Sequence, residues 1–381
     1  MTALNGSAVN LSLYIGPAVP IPAPRWAIEA LRSVTVNATA VPGADSGFEL
    51  VFEMDKNSLL PTLFLLVGGS PPPILRVVIA VTMGGMPEVL IDGVVTHTSV
   101  NPGADGTNPT FTVRGTDLTA VMGWIDFTGL PYPALPVEAR VLIVLAKYAF
   151  LGVVPVIIPA IVPDIPNPLD KIPVHQGNDL AYVRRLADRT GYIFTVIPGV
   201  APGQSFAYWG PEAKIGVPQP ALNVDMDALT NVKSLNIEFN DEHKTLPIVF
   251  IQNQQTKAII PIPIPDVSPL DPPLGLIPPL PKQVSYIRET AKLSIPAAIL
   301  LGMAKASRTS DVVKATGSLE VLRYGRVLKP RTLVGLRGVG TAFDGLYFVQ
   351  QITSSIKPGE FEQRFTLVRN GLVSTLPRIP V

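Results

Sequence analysis

The sequence predicts a mainly β fold with α+β insertions, organised around two related β-barrels. Three observations carry that prediction. Apolar and polar residues alternate at period two in several short runs. In one of them Phe361, Gln363, Phe365 and Leu367 fall on one face and Glu362, Arg364 and Thr366 on the other. Gly and Pro turns punctuate these runs. Lys357-Pro358-Gly359-Glu360 therefore joins Leu346–Ile356 to Phe361–Arg369 as a hairpin. The hairpin region 343–371 also has an echo at 91–115. Asp92-Gly93 matches Asp344-Gly345, and Ser99-Val100-Asn101-Pro102-Gly103 matches Ser355-Ile356-Lys357-Pro358-Gly359. Phe111-Thr112-Val113-Arg114-Gly115 resembles residues 365–371. The spacings differ by a few residues, so two ordinary hairpins with shared turn chemistry are the competing reading.

Composition bounds the rest. The 381 residues suffice for several domains; 47% are hydrophobic and only 15% charged. So few charges suggest a surface that partners cover. The net charge of +1 argues against a nucleic-acid footprint, which needs clustered Lys and Arg. There is no Cys, which removes disulfides, thiolate metal sites and Cys nucleophiles. His97, His175 and His243 lie far apart in sequence with no ligand-pair spacing, so no cofactor is expected. The 41 Pro residues cluster at 71–73, 131–168 and 261–281, which read as extended connections or edges. Residues 1–24 lack the basic start of a signal peptide. Val141–Val162, broken by Lys147, Pro155 and Pro159, reads as a buried or partner-covered segment rather than a membrane span.

In chain order, residues 1–26 read as an irregular, partly extended arm. Leu31–Ala40 and Phe48–Met54 read as strands around the turn at 42–47. Leu59–Val67 is continuously apolar, a buried strand or part of a loop excursion. Leu75–Met83, Glu88–Thr98 and Thr110–Gly115 complete a small barrel or sandwich. Thr116 or Asp117 can cap a short helix running to Trp124, and Pro136–Ala149 suits a second helix. The run on to Pro168 reads as loop. The spacing of Leu180, Val183, Leu186 and Ala187 predicts an amphipathic helix, with Asn178 as N-cap and Gly191 ending it. Tyr192–Ile197 and Gln204–Trp209 read as strands. Val232–Asn240 starts a new sheet that Pro247–Gln254 continues. Val284–Ser307 reads as helical, kinked or divided at Pro296. Asp311–Leu322 and Thr332–Leu336 read as strands before the closing hairpin.

Catalytic signatures are weak. Gly335-Leu336-Arg337-Gly338-Val339-Gly340 is neither a P-loop nor a dinucleotide fingerprint, and there is no G-x-S-x-G elbow. The pairs Asp225/Asp227 and Asp241/Glu242 read as solvated acids rather than acid–base machinery. Arg184, Arg185 and Arg189 form a basic helix face: a solvated surface or a contact within an assembly.

The block Gln176-Gly177-Asn178-Asp179-Leu180-Ala181-Tyr182-Val183-Arg184-Arg185-Leu186-Ala187-Asp188-Arg189-Thr190-Gly191-Tyr192-Ile193-Phe194 resembles one in the phage late-control family, the central baseplate hub of contractile tails. The hub half of type VI secretion spikes and of extracellular injection particles belongs to the same family. Phe343-Asp344-Gly345-Leu346-Tyr347-Phe348-Val349 and Phe365-Thr366-Leu367-Val368-Arg369-Asn370-Gly371 are similar to its closing hairpin. The resemblance spans about residues 30–372 and implies two tube-like β-barrels related by internal duplication, plus smaller helical and mixed domains. It implies no enzymatic activity. It implies a homotrimer that adapts a sixfold inner tube to a threefold spike, assembled in the bacterial cytoplasm as part of a phage tail or injection-particle baseplate. The implied partners are the inner tube protein, baseplate wedge proteins and a separate spike protein, since the sequence stops soon after the hairpin. No nucleic-acid partner is implied. Arg184, Arg185, Arg189, Arg114 and Arg369 are the candidate interface residues. The expected division is an arm at 1–26, a first barrel at 27–116, an α+β domain at 117–230 carrying the excursion 131–168, a second barrel from 231–262 and 329–372, an inserted Pro-rich and helical domain at 263–328, and a tail at 373–381. A tail-tip cell-wall hydrolase and a secreted β-rich adhesin are the rival readings.

Overall fold

A computed structural model of the chain describes residues 2–3, 9–55, 58–67, 74–103, 108–160, 169, 172–252, 259–264, 271–287 and 295–375. The Pro cluster at 71–73 and parts of the two later Pro-rich runs lie outside them. The chain is mainly β, as predicted. The first strands are β1 (Thr2–Ala3), β2 (Val9–Gly16), β3 (Ile21–Pro22), β4 (Leu31–Thr39), β5 (Gly47–Glu53), β6 (Arg76–Met83), β7 (Met86–Asn101) and β8 (Thr110–Asp117). The middle of the chain holds β9 (Val153–Ile157), β10 (Ile193–Pro198), β11 (Ser205–Gly210), β12 (Gln219–Asn223) and β13 (Val232–Phe239). Then come β14 (Thr245–Gln252), β15 (Ile259–Pro263), β16 (Gly275–Ile277), β17 (Gln283–Ile287) and β18 (Val313–Glu320). The last are β19 (Leu333–Arg337), β20 (Gly345–Lys357), β21 (Glu360–Arg369) and β22 (Leu372–Ser374).

A single 14-stranded sheet organises the chain, in the order β1-β2-β6-β7-β8-β5-β4-β20-β21-β18-β13, with β19 also on β20. The same arrangement occurs in it twice. Taken as first to fifth in chain order, β4 to β8 lie third-fourth-fifth-second-first, and so do β13, β18, β19, β20 and β21. The echo between the hairpins is therefore a duplication of topology. The register refines it: Val100 faces Phe111 as Ile356 faces Phe361, so Phe111 corresponds to Phe361, not to Phe365. Gly93 faces Asp117 as Val349 faces Leu367, so the Asp92-Gly93 match is a coincidence of sequence. Gly93 is mid-strand. A Cβ there would lie 2.2 Å from the Thr116 carbonyl oxygen, so glycine lets β8 approach.

One apolar core runs under both halves. It includes Leu50, Phe52 and Val113 from the first and Leu319, Phe361 and Phe365 from the second. These are the period-two faces of their strands.

Several boundaries move. Residues 1–26 are not simply an arm, because Val9–Gly16 pairs antiparallel with β6 along its whole length. Val9, Leu11, Leu13 and Ile15 point into the core with polar residues between. Leu60–Val67 is a helix whose Phe64 ring packs 5.5 Å from Phe52 and 5.7 Å from Phe111. Thr245–Gln252 leaves the main sheet for a separate one, ordered β15-β14-β17. Val313–Glu320, expected within the insertion, pairs with both β13 and β21. Part of the run expected as loop before Pro168 is strand β9, which lies at the edge of the sheet β10-β11-β9, where Pro155 is tolerated. Val284 lies in a strand, and the helix that follows begins at Ile295, with Pro296 in its first turn, where a missing N–H costs nothing. The predicted amphipathic helix spans Asp179–Thr190. Asn178 Oδ1 accepts from the Ala181 N–H at 2.8 Å, and Gly191 takes φ 73°.

Candidate functional site

Strand edges are the chemistry this fold presents, because an unpaired edge carries a row of free N–H and C=O groups. The two halves meet where β4 pairs with β20, from Val34↔Ile356 to Thr39↔Gln351. On the core side Val34 and Val36 lie with Ile352 and Ile356, all buried. On the polar side Asn37 Oδ1 accepts from Gln351 Nε2 at 2.9 Å and from Thr353 Oγ1 at 3.4 Å. The junction thus joins the first strand of one half to the fourth strand of the other.

The complementary edges have no partner among the described residues. In the first half, β6 pairs with β7 only up to Val94, whereas β8 continues to Asn101. The side of β7 beyond Val95 that faces away from β8 is open, and Val100 is 54% exposed. In the second half, β13 is the outermost strand beyond β18, and Phe239 is 42% exposed. The register assigns equivalents. Thr98 faces Val113 as Ser354 faces Gln363, and Asn236 faces Thr316 as Asn37 faces Gly47. Asn236 therefore occupies in the second half the place that Asn37 holds at the junction.

The five arginines singled out from sequence separate here. Arg369 is fully buried. Its Nε donates to the Gly371 carbonyl at 2.6 Å, Nη1 to that of Asp344 at 2.9 Å and Nη2 to that of Ala342 at 3.2 Å. It lies 5.2 Å from the Tyr347 ring, and burial pushes the Tyr347 hydroxyl up to about 12. Arg369 therefore organises the loop before β20 rather than meeting a partner. Arg184 pairs with Asp45, tying the helix to the β4–β5 turn. Arg185 Nη1 donates to Gln176 Oε1 at 2.6 Å. Arg189 is exposed at the helix end. Arg114 lies on the polar sheet face with Glu49 at 2.6 Å.

Two buried polar clusters went unnoticed in the sequence. Arg76 and Asp92 form a sealed bidentate pair, with Nε–Oδ1 2.7 Å and Nη2–Oδ2 2.6 Å. Arg76 also donates to the Ala18 and Gly203 carbonyls, and Ser205 Oγ donates to Asp92. This cluster ties the first half-sheet to the β9–β11 sheet. Around Asp179, Tyr148 donates at 2.6 Å and Lys147 Nζ at 2.8 Å. His175 is stacked on Tyr182 at 4.1 Å, and its Nδ1 lies 3.0 Å from the Tyr132 hydroxyl. Burial holds the His175 pKa below its ordinary 6.5, with Asp179 pulling the other way. Apart from Lys147, whose side chain is 34% exposed, both clusters are enclosed by the protein. Among the described residues no helix is long and apolar enough to cross a membrane.

No protein-family model matches the sequence, and no curated protein matches it. Solved structures do. A tail protein from Neisseria meningitidis MC58 aligns with a TM-score of 0.62 and 12% identity, over 96% of this chain and 98% of that one. The 43 kDa tail protein of prophage MuSo2 from Shewanella oneidensis aligns at 0.61 and 14%, over 95% and 98%. A type VI secretion component from E. coli, itself similar to the phage T4 tail proteins gp27 and gp5, aligns at 0.53 and 12%, over 92% and 78%. The chain has the fold of these phage tail and type VI secretion proteins, as its helix block and closing hairpin implied.

Proposed function

We propose that this chain is a non-enzymatic structural hub of a contractile injection machine and acts as a homotrimer. The observation that supports it best is the complementarity of the edges. The junction between first and fourth strands is made once within the chain and leaves one fourth strand and one first strand open. If β13 of one copy pairs with β7 of the next as β4 pairs with β20, the sheet continues head to tail. A head-to-tail contact either closes a ring or runs on as a filament. Three copies with two half-sheets each give six similar units. That is the number a sixfold inner tube requires, while the ring as a whole keeps the threefold symmetry of a separate spike. Each half then acts as a tube-like barrel. Baseplate wedge proteins would dock outside the ring, where Arg189 is exposed, and Arg114 would face along the polar wall. The setting is a phage tail or related particle assembled in the bacterial cytoplasm.

The registers predict that Thr98 faces Leu235 and Ser99 faces Ser234 across the contact. The chain has no Cys, so paired substitutions report without background. Thr98→Cys with Leu235→Cys, and Ser99→Cys with Ser234→Cys, are expected to give covalent trimers on mild oxidation, because facing Cβ atoms in antiparallel strands lie about 4.5–5.5 Å apart. The proposal is abandoned if neither pair cross-links and the wild-type chain sediments as a monomer with and without its spike partner.

A further inference from the structure

Where the two half-sheets meet the β10–β11 hairpin lies a cavity of about 470 Å³. That is within the range of small-molecule sites. Its walls are largely apolar, with Val36, Val89, Ile91, Val196, Phe206 and Ile352 among them. Most of its polar side chains are already engaged. Asp92 holds Arg76, Glu88 pairs with Lys329 at 2.7 Å, and Asp117 accepts from the Ser46 and Thr119 N–H groups. Gln363 bonds both backbone groups of Leu328 and the Ser354 hydroxyl.

Arg331 is the exception among the charged groups. Its guanidinium makes no hydrogen bond or ion pair among the described residues, although it lines the cavity. Its backbone is held at φ 62°, the left-handed region that non-glycine residues rarely adopt. Such strain persists only where surrounding structure enforces it, and it clusters at ligand clamps. Here the Arg331 N–H donates to the Val349 carbonyl at 3.0 Å, fixing the turn against β20. Burial disfavours its charge, and Glu212, Tyr208 and Asp117 offset that only from a distance. Half-buried on the cavity wall, this cation has no direct protein partner among the described residues.

We propose that this cavity binds a small amphipathic monocarboxylate, its carboxylate on the Arg331 guanidinium and its aliphatic body against the apolar wall. The planar guanidinium fork matches a carboxylate in two parallel hydrogen bonds. A neutral hydrocarbon would leave the guanidinium unpaired, and a multiply charged ligand would bring more charge than one free cation answers. The site is formed within one chain and does not depend on assembly into a hub.

The full chain is titrated with 11-(dansylamino)undecanoic acid, followed by dansyl fluorescence, and the probe is displaced with decanoate, decanol or decyl phosphate. Saturable binding of one probe per chain is expected, with decanoate displacing it at least about tenfold better than decanol, as a charge-assisted pair requires. Arg331→Met is expected to weaken decanoate about tenfold or more and to leave decanol unchanged. Val89→Phe, which fills the cavity, is expected to weaken both. Circular dichroism establishes that each variant is folded. Should Arg331→Met fail to fold, the decanoate-to-decanol ratio in the wild type and the Val89→Phe variant still decide. Absence of saturable binding, equal displacement by decanoate and decanol, a preference for decyl phosphate, or unchanged decanoate affinity in Arg331→Met overturns the proposal.

Discussion

Replacing Arg76 by Met tests whether the sealed pair with Asp92 holds the first half-sheet to the β9–β11 sheet. The two side chains are 2% and 1% exposed, so solvent does not screen them. Methionine keeps an unbranched apolar body but removes every donor. Asp92 is then a buried carboxylate with only Ser205 Oγ as a side-chain donor, and the Ala18 and Gly203 carbonyls lose their guanidinium partner. Breaking a buried pair from one side costs about 3–5 kcal/mol, chiefly because the remaining charge is uncompensated. Adding Asp92→Leu removes that charge, and the double variant should recover at least about 2 kcal/mol relative to the sum of the two single effects. Equilibrium urea unfolding measures all four corners of the cycle, with the fluorescence of the buried Trp209 as the probe. If Arg76→Met costs less than about 1 kcal/mol, or the two substitutions simply add, the pair is not the tie that its geometry describes.

Other substitutions probe separate features. Gly115→Ala places a methyl group 2.3 Å from the Val94 carbonyl oxygen and 2.4 Å from the Phe48 ring, so a loss of about 2–4 kcal/mol in thermal or denaturant stability is expected. Asn178→Ala removes the cap on the Ala181 N–H and should cost about 1 kcal/mol, while Asn178→Asp should largely retain it. His175 has a pKa depressed by burial, so the unfolded chain takes up a proton that the folded chain resists. Stability from this group is full above about pH 6.5 and declines as pH falls below it, a decline that His175→Gln should reduce when melting temperatures at pH 7.5 and 5.5 are compared.

Local signals in the sequence were reliable where local chemistry decides structure. Asn178 and Gly191 bound their helix because a side-chain acceptor and a left-handed residue are needed at those two places. The closing hairpin was legible from its turn and its alternation. Two features with a readable signal were missed. Val9-Asn10-Leu11-Ser12-Leu13-Tyr14-Ile15 alternates as a half-buried strand should, yet passed for an arm. Arg369 continues the face of Phe361, Gln363, Phe365 and Leu367, so parity alone placed it inside. Other features had no local signal. Nothing in the alternation of residues 245–252 says which sheet the strand joins, and Val249 is buried against the inserted unit. The Arg331 cavity depends on the meeting of segments more than a hundred residues apart.

The duplication explains why the edges of this chain are open. A half-sheet of five strands ends in a first strand on one side and offers the distal part of its fourth strand on the other. Joining two halves satisfies one of each and leaves one of each, whatever the number of halves joined in a line. Neither is closed within the chain among the described residues, so an isolated chain exposes edge groups that favour pairing. The proposed ring closure would pair both of these edges at once. It also makes the contact between copies nearly the contact within a copy, with Asn236 standing in for Asn37. The two contacts need not be identical: His97 lies where Thr353 meets Asn37, and Leu235 where Val36 packs. A ring built this way alternates two similar junctions. In the proposed trimer the symmetry would be threefold by composition and nearly sixfold by shape, with the departure from sixfold in those few substituted positions.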